Sequence, residues 1–135
     1  MGTISIHSQI KDYEVIFGDN QKISNFLNQE KDHICCFVID SKVWHLYSES
    51  ILAPIDPSKI ITIDATEENK CVETVLDLYD RFIGYSAKRN SVVIAIGGGI
   101  IQDVAGFACS TFYRGIEWFF IPTTFLSSSS WMILS

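Results

Sequence analysis

The stretch Ser91–Ser110, SVVIAIGGGIIQDVAGFACS, decides how the rest of the chain is read. SVVIAI is an unbroken apolar run, the pattern of a strand covered on both faces as in a parallel sheet. Gly97, Gly98 and Gly99 follow it, and then Ile101, Val104, Ala105, Ala108 and Phe112 recur at helical spacing. Strand, glycine turn and amphipathic helix form one βα unit. Three adjacent glycines are costly to order. Either the turn packs tightly on the sheet, or a ligand comes close to its backbone. In an open parallel sheet ligands sit at the carboxyl ends of strands, where free N–H groups of a helix's first turn favour phosphate.

The same alternation runs outward in both directions. TISIHS and YEVIFG read as two strands near the start that could pair as a hairpin. Asp19 or Asn20 can cap a short helix carrying Ile23, Phe26 and Leu27. ICCFVID and KIITIDA are further buried strands, and between them SKVWHLYSESIL places Val43, Leu46 or Tyr47, and Ile51 on one helical face. From Glu67 to about Lys88 the stripe Val72, Val75, Leu76, Tyr79, Phe82 and Ile83 predicts a long helix. IEWFFI is the fourth buried strand. The expected fold is α/β, a doubly wound, mostly parallel, Rossmann-like sheet. Residues 1–126 make the domain, and the ending 127–135, SSSSWMILS, reads as a divergent serine-rich tail.

Composition limits the function. The chain has 135 residues, 47% of them hydrophobic and 13% aromatic, with a formal charge of −6. That is one globular domain, and its acidity argues against sequence-independent nucleic-acid binding. The apolar runs are far below the ~20 residues of a spanning helix. The N-terminus lacks the basic start and apolar stretch of a signal peptide, so the expected location is the cytoplasm. Cys35, Cys36, Cys71 and Cys109 show no metal or redox spacing and read as core residues in a reducing compartment. As neighbours on a strand, Cys35 and Cys36 are expected to point to opposite faces. His7, His33 and His45 are scattered and suggest no metal site.

Other residues carry two readings each. Asp103 is either an acid favoured by the helix dipole in the first turn or an acceptor for sugar hydroxyls. Arg114, the only charge between Asp103 and Glu117, either caps the helix or offers a planar fork to a phosphate. Pro122, Thr123 and Thr124 end a strand beside the glycines, as a plain turn or as hydroxyls facing the crevice. Gln102 stands where a dinucleotide fingerprint would need glycine, and no Walker A lysine follows the glycines.

In order, Gly97–Gly99, Asp103, Gly106–Phe107, Arg114–Gly115 and Pro122–Thr124 resemble the N-terminal half of 3-dehydroquinate synthase, of the sugar-phosphate cyclase family. Glu67 and Lys70 match the family's Glu-x-x-Lys, and Asp40 its Asp-x-Asn, with Lys42 in place of the asparagine. The resemblance implies an NAD site. Asp40, Lys42, Glu67 and Lys70 would hold the adenosine side, the glycines would approach the pyrophosphate, and Asp103, Thr123 and Thr124 would complete it. Arg114 would reach the substrate phosphate across a dimer interface, which allows a homodimer. The implied reaction is a carbon–oxygen lyase step of the shikimate pathway, in which a seven-carbon sugar phosphate is cyclised and loses phosphate. The intact family enzyme also uses zinc or cobalt, bound by a helical second domain. That domain is not in this sequence, so the chain alone is expected to be inactive, with no catalytic or metal-binding residue. Two other readings remain. One is an NAD domain like those of iron-containing alcohol or glycerol dehydrogenases. The other is a non-enzymatic, truncated nucleotide-binding fragment that exposes an apolar patch.

Overall fold

A computed structural model describes the backbone of residues 2–6, 13–123 and 130–134, and the side-chain surroundings of residues 24–123. The strands are β1 (Gly2–Ile6), β2 (Tyr13–Asp19), β3 (Ile34–Asp40), β4 (Ile60–Ile63), β5 (Val92–Gly97), β6 (Glu117–Pro122) and β7 (Ser130–Leu134). The helices are α1 (Asn20–Glu30), α2 (Ser41–Tyr47), α3 (Val72–Gly84) and α4 (Gly99–Thr111). Together the strands form one sheet in the order β1-β2-β7-β6-β5-β3-β4.

The four apolar runs became the parallel half of this sheet, β6-β5-β3-β4. Their alternation feeds two cores. Val93 and Ala95 of β5, with Val38 and Phe120, face α3 and α4 through Leu78, Phe82, Ile101 and Ala105. Val92, Ile94 and Ile96, with Ile39 and Ile121, face the other way, toward Val43 of α2 and Phe26 and Leu27 of α1. Helices on both faces make the sheet doubly wound. The other half is antiparallel: β1 pairs with β2 as the expected hairpin, and β7 lies between β2 and β6. Residues 130–134 of the serine-rich ending therefore form a strand within the sheet.

Three local expectations need correction. The long helix expected from Glu67 is a short 3₁₀ turn over Glu67–Asn69 followed by α3 from Val72 to Gly84. Its buried stripe is Val75, Leu78 and Phe82, while Val72, Leu76 and Ile83 are 53–67% exposed. Apolar residues cover so wide an arc of α3 that periodicity does not say which part meets the sheet. The helix after β3 ends at Tyr47, and Leu46 is exposed.

The third correction concerns the cysteines. Ile34 pairs with Val92 but Cys36 pairs with Val93, so Cys35 is the extra residue of a bulge. Cys35 and Cys36 thus both lie against the α3–α4 core, with sulfurs 3.7 Å apart. Among the described residues, no helix is long and apolar enough to cross a membrane.

Candidate functional site

The connection from β3 leads by way of α2 to β4 on one side, and that from β5 leads by way of α4 to β6 on the other. The carboxyl ends of β3 and β5 therefore bound the crevice at the switch point of the sheet. Asp40 ends β3 beside the last β3–β5 pair, Ile39 with Ile96, and Gly97 ends β5 opposite Pro122.

The glycines divide into two kinds. A Cβ on Gly97 would lie 2.6 Å from Cγ1 of the fully buried Ile101, so this glycine lets the turn pack on the sheet. A Cβ on Gly98 or Gly99 would meet nothing within 4 Å. Gly98 is the cap residue of α4 and supplies no side-chain acceptor, which leaves the first-turn N–H groups uncapped. The tight-turn reading thus holds for Gly97, while Gly98 and Gly99 leave open space beside their backbone. Gly106 is also a packing glycine, since its Cβ would meet the Trp118 ring at 2.8 Å.

Charged groups from the β3–α2 junction, the loop after β4 and α4 lie at this end of the sheet. Lys70, after the 3₁₀ turn, reaches across to α4 and pairs with Asp103 at 2.9 Å, both about half exposed. The hydrogen bond to Asp103 and its charge raise the Lys70 ammonium pKa, with a further contribution from Glu67. Asp103 lies beyond the first turn of α4, because that helix starts at Gly99. Its observed partner is Lys70 rather than the helix terminus. Asp40 caps α2 by accepting from the Lys42 N–H at 3.0 Å, and the Lys42 side chain is exposed. Ser41 donates to Asp64 at the end of β4, tying the two strand ends together.

Asp64 was not picked out from sequence, although it follows KIITI as Asp40 follows ICCFVI. An apolar cavity of about 340 Å³ opens beside the ion pair, walled by Cys71, Val72, Val75, Val104 and Phe107.

Sequence reasoning therefore named residues that the fold brings to one end of the sheet: Asp40, Lys42, Glu67, Lys70, Gly97–Gly99, Asp103 and Thr123. Thr124 lies outside the described residues. Arg114 is at the other end. α4 spans 13 residues, about 20 Å at ~1.5 Å each, and leads from the glycines to the amino end of β6. There Tyr113 (φ 50°) and Arg114 (φ 68°) hold a left-handed turn, while Tyr79 hydrogen-bonds Thr111 and stacks on Phe112. Among the described residues no three His, Cys, Asp or Glu side chains come together to hold a metal ion.

Comparison with known proteins adds four findings. Residues 60–131 match the family model described as 3-dehydroquinate synthase N-terminal. A 3-dehydroquinate synthase of Streptococcus pyogenes is 32% identical over 129 residues, covering 93% of this chain and 36% of the relative. A solved 2-deoxy-scyllo-inosose synthase, complexed with carbaglucose-6-phosphate, NAD+ and Co2+, superposes with TM-score 0.68 at 26% identity, over 90% of this chain and 35% of that one. A 2-epi-5-epi-valiolone synthase from Streptomyces hygroscopicus, with NAD+ and Zn2+ bound, does so with TM-score 0.54 at 32% identity, over 62% of this chain and 24% of that one. The chain spans about a third of the length of the S. pyogenes relative.

Proposed function

The chain belongs to the 3-dehydroquinate synthase family, and from that premise we propose that it is the nucleotide-binding part of a cytoplasmic sugar-phosphate cyclase, holding NAD at the β3–β5 switch point. The observation that carries this reading is the open backbone of Gly98 and Gly99 where a buried strand gives way to a helix. A pyrophosphate can lie there against uncapped N–H groups, at a place where side chains would keep it away. The NAD+ in both solved relatives supports the assignment.

On this reading Asp40 and Lys42 face the adenosine ribose from the end of β3, and Glu67 and Lys70 from the loop after β4. The remaining Asp40 carboxylate valence is the acceptor, since one oxygen already caps α2. Asp103, Thr123 and Thr124 complete the site. Lys70 holds Asp103 in place before the cofactor arrives, which lowers the cost of ordering it. NAD held there would supply reversible hydride chemistry toward a secondary alcohol of the sugar phosphate, and these residues would bind and orient it.

Arg114 sits too far from its own glycine turn to serve the same site. Its role on the substrate phosphate requires a second protomer, so the working assembly is a homodimer. The divalent metal of the solved relatives finds no ligand set among the described residues, and cyclisation requires one from elsewhere.

Calorimetric titration of the chain with NAD, beside Gly98→Val and Asp103→Ala, tests the cofactor assignment. Binding in the parent chain, lost in Gly98→Val with the circular dichroism unchanged, is the expected result. A folded parent chain that takes no NAD even at millimolar concentration overturns it.

A further inference from the structure

Away from the crevice, the bulge in β3 creates a pair of thiols that the proposed chemistry does not use. On a regular strand adjacent side chains diverge to opposite faces. Here the extra residue at Cys35 turns both sulfurs to the α3–α4 side, 3.7 Å apart. Cys36 is fully buried, whereas Cys35 is only partly covered. All four cysteines are free. Lys59, just before β4, reaches this end of β3 and donates to the Ile34 carbonyl at 3.4 Å. Cys109 of α4 belongs to the same core cluster.

We propose that Cys35 and Cys36 form a vicinal dithiol site for a monosubstituted trivalent arsenical, a soft electrophile that needs two thiols and no third ligand. The two-donor requirement matters, because among the described residues no three potential metal donors converge. Soft thiolates select soft, thiophilic centres. The condensation balances without any change of oxidation state. Two S–H bonds and the arsenic–oxygen double bond break, two As–S bonds form, and the oxygen leaves as water with both thiol protons.

Cys35 is the entry point. The hydrogen bond with Cys36 holds its thiol below the ordinary range, and the Lys59 charge acts in the same direction, although burial opposes both. The same hydrogen bond and burial push Cys36 up, and burial pushes Cys109 up. Cys35 is partly exposed and Cys36 is not, so Cys35 meets the arsenical first, and Cys36 closes the chelate by local rearrangement. Closing the second bond within one chain gains by effective concentration, about 10²–10⁴-fold over a single thiol.

The test is titration of the full chain with phenylarsine oxide, read by intact mass and by the loss of thiols titratable with Ellman's reagent. The expected product carries a single phenylarsenic group, has lost two thiols, and is reversed by a dithiol but not by a monothiol. Cys35→Ser and Cys36→Ala should each weaken retention about a hundredfold or more, while Cys71→Ser and Cys109→Ser leave it unchanged. Cys35→Ser alters only a partly exposed side chain, so it keeps the test valid if Cys36→Ala fails to fold. Three results would overturn the proposal: no adduct on the folded parent chain, an adduct that survives Cys35→Ser, or one that disappears in Cys109→Ser.

Discussion

Gly97 and Gly98 are neighbours in sequence with different physical reasons to lack a side chain. At Gly97 the constraint is internal, because a methyl group would press into Ile101 at 2.6 Å. Ile101 is fully buried and branched at Cβ, so it cannot swing aside. Gly97→Ala should therefore destabilise the chain by about 1–3 kcal/mol, the usual cost of overpacking a tight site. Gly98→Ala adds a methyl group to open space at the helix cap and should leave the stability within about 0.5 kcal/mol. Urea unfolding of the two variants separates the constraints, and equal losses would show that Gly98 also serves packing. Lys70 and Asp103 gain little stability from one another, since both are about half exposed and screened by water. Their pairing sets geometry at the crevice instead.

At the scale of the element, α3 and α4 are held by a few deep contacts under a broadly apolar surface. Phe82 is fully buried and meets the Phe112 ring edge-on at 5.4 Å. Ile83, the next residue, is 62% exposed. Phe82→Ala should cost about 3–5 kcal/mol and Ile83→Ala less than about 0.5 kcal/mol. Chemical denaturation checks the contrast, and a comparable loss from Ile83→Ala would mean that this face is covered in solution. The pattern of α3 predicted a helix but put Ile83 and Phe82 on the same stripe. Neighbouring residues on a helix are about 100° apart, so only contact with the sheet distinguishes them.

For the whole molecule, β7 joins the two halves of the sheet. It pairs with β2 at five positions, from Val15 with Leu134 to Asp19 with Ser130, and meets β6 at Phe120 with Leu134. Removing residues 130–135 should uncouple the β1–β2 hairpin from the parallel half and leave β6 with an open edge. At roughly 0.2–1 kcal/mol for each cross-strand pair, the loss is about 1–5 kcal/mol. Thermal unfolding should show a lower midpoint, and light scattering should show association through the freed edge. An unchanged midpoint would mean that β7 contributes nothing to the cooperative unit.

Much of the fold was legible because buried parallel strands must be apolar along their whole length. ICCFVID, SVVIAI and IEWFFI therefore stood out without alignment to anything else, and KIITIDA stood out with them, although β4 is an edge strand with Thr62 exposed rather than a buried one. The crevice was legible for a related reason: residues just after such strands gather at one end of a parallel sheet, and Asp40, Gly97–Gly99 and Thr123 did so. The strand of residues 130–134 was hidden behind serines, because antiparallel pairing depends on a partner's backbone rather than on the strand's own composition. Lys70 and Asp103 were named separately, but their meeting depends on how α3 and α4 pack. The sequence by itself determined a doubly wound sheet with a glycine turn at the carboxyl end of one buried strand, since periodicity and apolar run length are local properties of the chain; that this end lies at the switch point came from the strand order. Only the tertiary structure decided which glycine is constrained by packing, which side of α3 is buried, and that a bulge turns two adjacent cysteines to one face. Those outcomes depend on distances between residues far apart in the chain and on strand register, which no local pattern encodes.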